Sequence, residues 1–140
     1  MRALGLDLGS KRIGVSVSDA AGSVATPVQT LDRTGDRSRD HRAIAELVEE
    51  WQAEVVVVGL PYSLDGSVGA AARAALAEME ALGDTLAVPV VPYDERLTTV
   101  TAERCLMEQG LDARARRRVV DQVAAAVILQ AWLDGGRSHG

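Results

Sequence analysis

The stretch Ala3-Leu4-Gly5-Leu6-Asp7-Leu8-Gly9-Ser10-Lys11-Arg12-Ile13-Gly14-Val15-Ser16-Val17-Ser18-Asp19 decides the fold. Leu4, Leu6 and Leu8 alternate with Gly5 and Asp7; Ile13, Val15 and Val17 alternate with Arg12, Gly14, Ser16 and Ser18. A period of two marks a strand with one apolar face. Gly9-Ser10-Lys11 between the two runs is a short turn, so the pair reads as a hairpin. Asp7 then sits inside a strand, on the face opposite its leucines, where a carboxylate is costly unless a cation or partner offsets it. Gly5 and Gly9 flank Asp7 and are expected to leave the backbone open to a ligand.

Outward from the hairpin, Val24–Leu31 reads as a third strand, and Pro27, which lacks an N–H, predicts an edge position or a bulge. Asp32–Arg42 is polar and reads as a loop leading into a helix, either a solvated connection or a mobile arm that touches substrate, with His41 at the surface. Ile44, Leu47, Val48 and Trp51 recur at helical spacing. Glu54–Leu60 holds four consecutive valines, the mark of a strand covered on both faces. The loop Pro61–Gly69 leads into an Ala-rich helix ending near Leu82, and Ala87–Tyr93 reads as another buried strand. Thr98 or Thr99 is the expected cap of a helix stopped by Gly110. A last helix runs from about Ala113 to Leu133, before Gly135-Gly136 and a tail, Arg137–Gly140, expected to be disordered. The order βββ–α–β–α–β–α–α predicts an α/β fold: a mixed five-stranded sheet with helices on both faces, in a single domain over residues 1–136.

At 140 residues one domain is expected, and with no Phe its core must be aliphatic. No run approaches the ~20 apolar residues of a membrane span. The single cysteine, Cys105, excludes an internal disulfide and reads as a small buried hydrophobe. With no signal peptide evident at the N-terminus, a cytoplasmic protein without membrane contact is expected. The net charge of −5 argues against a broad basic face for nucleic acid, so any such binding must use local cations or metal ions.

Two further acidic positions join Asp7. Asp94 and Glu95 fall at the carboxyl end of the last strand, where open α/β sheets gather ligands. Neighbours on a strand point to opposite faces, so one of the two shares the side of Asp7; Glu95 is the choice, with Asp94 in reserve. Asp121 interrupts an apolar helix, Val119-Val120 before it and Val123 to Leu129 after it, with Ala124 and Ala125 letting that helix come close to the sheet. An intrahelical salt bridge to Arg117 or Arg118 is the structural alternative. Three carboxylates from distant segments suit Mg²⁺ or Mn²⁺, and a pair of such ions about 4 Å apart can act on both the attacking and leaving oxygens of a phosphodiester. Lys11, Arg12, Arg96, Arg117 and Arg118, with Arg114 and Arg116 in the same run, are candidate phosphate contacts. Gly66 belongs to a Gly-rich loop that opens a helix and could meet a phosphate. That loop lacks the Gly-Lys-Ser/Thr ending of a nucleotide-binding P-loop. Tyr62 is a candidate platform for a base.

Leu6–Asp19, Val58-Gly59-Leu60-Pro61 with Asp65-Gly66, Asp94-Glu95-Arg96-Leu97-Thr98-Thr99, and Val120-Asp121 with Ala124-Ala125 and Ile128-Leu129-Gln130 follow one another as in a known family. The chain resembles the YqgF/RuvX family, related to Holliday junction resolvases within the ribonuclease H-like superfamily. The resemblance implies a nuclease with Asp7, Glu95 and Asp121 as catalytic, metal-binding residues. Its two attributed roles are maturation of the 5′ end of 16S rRNA and cleavage of Holliday junctions. The implied partners are structured RNA or branched DNA, ribosomal precursor particles, and a second copy in a homodimer. Tyr62-Ser63 departs from the family's usual aliphatic residue and Asn. Two other classes compete: a nucleotide-binding protein of the actin-like kinase type, which needs two such domains, and a non-catalytic RNA- or ribosome-binding factor, which the acidic charge would suit.

Overall fold

The structure, a computed structural model of the chain, describes residues 1–63, 65–98 and 113–135, without the side chains of 113–118. The expected helix ending at Gly110, Cys105 within it, the tail Arg137–Gly140 and the side chains of Arg114, Arg116, Arg117 and Arg118 lie outside what is described.

Five strands form one sheet: β1 (Ala3–Leu8), β2 (Arg12–Ser18), β3 (Ala25–Asp32), β4 (Val55–Leu60) and β5 (Val90–Asp94). Their order is β3-β2-β1-β4-β5. The hairpin β1–β2 is antiparallel, as is β2–β3, while β4 and β5 run parallel to β1 and β4. The sheet is therefore mixed, as the element order predicts. β3 is an edge strand with a register shift opposite Pro27, where Ser16 pairs with Pro27 and Val15 with Gln29. The missing N–H of proline makes this the place where the ladder can slip without losing a bond.

Alternation sends large residues to one face. Leu4, Leu6, Ile13, Val15, Val56, Val58 and Leu60 pack beneath α1 (Arg37–Trp51) and α2 (Ala70–Thr85), which contribute Ile44, Leu47, Val48, Ala75 and Leu82. A fully buried leucine, isoleucine or valine among them contributes roughly 1.5–3 kcal/mol. The opposite face carries Ala3, Val55 and Val57 and is covered by α3 (Ala113–Asp134) through Ala124, Ile128, Leu129 and Leu133.

Small residues on that second face let α3 lie on the strand backbones. A Cβ added at Gly14 would strike the carbonyl oxygen of Asp121, and one at Gly5 would come to 2.8 Å from Leu129 Cβ. Ser16 Oγ donates to the Ala125 carbonyl at 2.8 Å. Gly5 therefore serves helix packing and opens no backbone to a ligand. Gly9 closes the hairpin: its N–H donates to the Asp7 and Arg12 carbonyls, and a Cβ there would sit 2.6 Å from Arg12 O.

The polar stretch Asp32–Arg42 differs from expectation. α1 already begins at Arg37, capped by Asp36, whose side chain accepts from Ser38 and Arg39 N–H. Asp40 and His41 are buried. His41 is not a surface residue because its ring nitrogen Nε2 meets Glu78 of α2 at 2.8 Å. The last strand also differs. It begins at Val90 and is half-buried, because β5 forms the other edge of the sheet.

Candidate active site

The carboxyl ends of β1, β4 and β5 open into a cleft of about 450 Å³ lined by the β1–β2 turn, the start of α2 and one turn of α3. Asp7, Glu95 and Asp121 all line it, together with Lys11 and Arg12. Asp7 is placed by strand alternation and is 5% exposed. It lies opposite Gly14, the glycine against which the Asp121 backbone rests. That contact sets Asp121 next to the carboxyl end of β1. Glu95 begins a short 3-10 turn, Glu95–Leu97, just beyond β5. Gly59 lies one residue past the Leu6–Val58 pair, beside Asp7. A Cβ on Gly59 would stand 2.9 Å from Glu95 Oε1, so the bare glycine gives Glu95 the room to lie over β4.

Asp121 is not bonded within its own helix through any described side chain. Its Oδ2 accepts from Arg12 Nε at 2.7 Å, a pair spanning 109 residues in sequence. Arg12, expected as a phosphate contact, thus reaches the cleft already engaged with a carboxylate. Lys11 lies exposed at the cleft wall.

Arg96 and Gly66 are not among the residues lining this cleft. The Arg96 guanidinium binds both Asp94 oxygens, at 3.1 Å or less, and stacks on Tyr62 with 5.5 Å between Cζ and the ring centroid. Those Arg96 hydrogen bonds hold the Asp94 carboxyl below the usual carboxylate range. Asp94 caps the 3-10 turn by accepting from Arg96 N–H, which fixes the start of the turn on which Glu95 sits. Gly66 adopts φ 88° in a turn closed by Ser63, a conformation that favours glycine. Thr98 closes the 3-10 turn, its Oγ1 donating to the Glu95 carbonyl at 2.7 Å.

Sequence reasoning missed the support behind the cleft. Arg33 Nε donates to the Gly9 carbonyl at 2.7 Å, and Arg33 N–H donates to the Lys11 carbonyl at 3.0 Å. The same guanidinium makes two bonds to Glu78, at 2.8 and 2.7 Å. Burial pushes the Glu78 carboxyl up, but hydrogen bonds and charge from Arg33 and His41 outweigh it and hold it below the usual range. The β1–β2 turn is thereby fastened to α1 and α2. A signal existed: Glu78 lies three residues after Ala75 and four before Leu82, on the core-facing stripe of α2, where a carboxylate requires partners.

The mixed sheet β3-β2-β1-β4-β5, covered by helices on both faces, is a ribonuclease H-like fold. The chain belongs to the RuvX family, described as Holliday junction resolvase, whose sequence model matches residues 1–135. It is 49% identical over 140 residues to a protein of Mycobacteroides abscessus named "Putative pre-16S rRNA nuclease", covering 99% of this chain and 84% of that one. A protein of the same name from Mycobacterium leprae is 52% identical over 139 residues, covering 98% and 74%. In fold the chain is similar to T. thermophilus RuvC in complex with Holliday junction substrate, with TM-score 0.59, 18% identity and coverage of 97% and 96%. The yeast mitochondrial Holliday junction resolvase matches with TM-score 0.54 and 10% identity, covering 94% and 77%.

Proposed function

We propose that this chain is a divalent-cation-dependent endonuclease hydrolysing a phosphodiester of structured RNA at the 5′ end of the 16S rRNA precursor. The reading sets its work in the cytoplasm, on ribosomal precursor particles. The observation that carries the chemistry is the convergence of Asp7, Glu95 and Asp121 on one cleft with Lys11 and Arg12. The RNA substrate follows the name borne by relatives of about half identity.

Asp7, Glu95 and Asp121 would hold Mg²⁺ or Mn²⁺. The donor set fits these ions, which take carboxylate oxygens, and Gly59 leaves Glu95 room beside Asp7. Among the described residues no three such side chains are drawn into a closed cluster, and Asp121 is held by Arg12. When bound, a divalent cation supplies Lewis acidity and positive charge at the phosphate. The chain's own groups do the remainder. Lys11 presents an exposed ammonium to the phosphate, while Arg12 orients Asp121. Pro61 and Val120 form apolar wall.

Cleavage of an end-labelled RNA spanning the 5′ junction, with Mg²⁺ or Mn²⁺, tests this reading. Wild type is expected to cut at one position. Asp7→Asn is expected to lose more than about 100-fold, since even the outer partners of metal ligands are worth roughly 10–100-fold. Equal cutting by the two proteins would sink the assignment. The family description favours a second substrate, a four-way DNA junction. With two strands to cut, that substrate calls for a homodimer. Preferential cutting of the junction would decide for it; binding without cutting would make the chain a non-catalytic RNA- or ribosome-binding factor.

A further inference from the structure

Beside the cutting cleft lies a second one, about 400 Å³, lined by Ser10, Lys11, Arg33, Gly35, Arg37 and Asp40. The two share Ser10 and Lys11, so the β1–β2 turn is the ridge between them. In an acidic protein of net charge −5, this second cleft carries three cations and one carboxylate. The carboxylate and one cation are already satisfied. Asp40 is buried and accepts from Thr34 N–H at 3.0 Å and Thr34 Oγ1 at 2.9 Å. Arg33 is bound to Glu78 and the Gly9 carbonyl. Nearby Asp36 is taken up as the cap of α1. Lys11 and Arg37 remain, both exposed, and neither forms an ion pair with a described residue. Gly35, at φ 89°, adds no side chain to the cleft, and a Cβ there would meet nothing within 4 Å. The surroundings are therefore hydrogen-bonded and roomy, with two cations left over.

We propose that this second cleft is a phosphate subsite. It takes a backbone phosphate of the same nucleic-acid strand on the far side of the Lys11 ridge from the bond to be cut. Arg37 is its main contact, and Lys11 is shared by both clefts. The inference rests on the nuclease reading for the identity of the strand, but its readout is binding and needs no cleavage. A phosphate contact releases counterions, so the salt dependence of affinity counts contacts. It also fixes where a strand lies without reading its sequence.

The test is fluorescence anisotropy of the labelled 5′-junction RNA and of a four-way DNA junction, without Mg²⁺ or Mn²⁺, across a salt series. Arg37→Ala is expected to weaken binding and to lower the slope of log Kd against log salt by about 0.7–0.9. Between 50 and 200 mM salt, its Kd then changes about threefold less than that of wild type. Arg37→Lys should keep the slope. Arg42→Ala, which removes an exposed cation of α1 outside the cleft, should leave it unaltered. In cleavage assays Arg37→Ala should raise KM and spare kcat. An unchanged slope for Arg37→Ala, an equal drop for Arg42→Ala, or failure of wild type to bind either probe overturns the subsite. A slope change in a protein that cuts nothing would keep the subsite and discard the nuclease reading. Cutting with an unchanged slope would do the reverse.

Discussion

The two faces of the sheet answer the same problem, a carboxylate carried by a covering helix, in opposite ways. On α2, between that helix and α1, Glu78 is closed in. It is 5% exposed, with two bonds from Arg33 and one contact with His41. On α3, Asp121 has one described bond, to Arg12, and faces a cleft beside Asp7 and Glu95. The first carboxylate is enclosed by its partners, which tie elements together. The second is half-satisfied and open, which is the condition of a site that must exchange partners. Residue size at the sheet surface sets the difference. Leucine and valine fill the first face, whereas Gly5, Gly14 and Gly59 lower the second until α3 and Glu95 rest on bare backbone.

The largest expected effect comes from breaking the closed side. Glu78→Ala leaves the Arg33 guanidinium without its partner and should destabilise by about 3 kcal/mol, the lower end for a broken buried pair, since Arg33 is partly exposed. Urea unfolding measures it. The pH dependence sharpens the point. The Glu78 pKa is depressed in the folded chain, so its stabilisation is fully present above the unfolded value near 4.3 and is lost as pH falls through the lower, folded value. Glu78→Gln should flatten that acidic limb of the stability curve. An acidic limb identical to wild type would mean the network contributes nothing.

The floor beneath α3 comes next. Gly14→Ala places a methyl against the Asp121 carbonyl, and backbone cannot step aside as a flexible side chain can. We expect roughly 1–3 kcal/mol of destabilisation, the usual range for overpacking, together with lost cleavage because Asp121 is pushed off the sheet. A fully active Gly14→Ala protein would separate helix height from site geometry.

How much of this the sequence reveals depends on range. Alternation in Ala3–Ser18 fixes the facing of Asp7, and Pro27 marks the edge strand, because period and proline chemistry are local. Partners distant along the chain are not legible. Arg33, His41 and Glu78 meet across 45 residues, so a polar run that looks solvated is instead partly buried. Asp121 invites a search among Arg117 and Arg118, four and three residues away, whereas its described partner comes from β2. Gly5 reads as an opening for a ligand when it is the seat of Leu129, because an absent Cβ does not say what fills the space.

The smallest effect on stability, and the most informative about the open side, is expected from Arg12→Gln. The Arg12 and Asp121 side chains are 25% and 16% exposed, so the loss in unfolding free energy should stay within about 1 kcal/mol. Function should respond differently. On the proposed reading, Arg12 and a divalent cation would compete for the same carboxylate, so removing the guanidinium should lower the Mg²⁺ concentration at half-maximal cleavage. Maximal rate should fall if Arg12 also meets the phosphate after releasing Asp121. A titration of cleavage rate against Mg²⁺ reads both. Unchanged half-saturation would show that Asp121 stays on Arg12 throughout, and the contrast between a closed and an exchangeable carboxylate would then have to be given up.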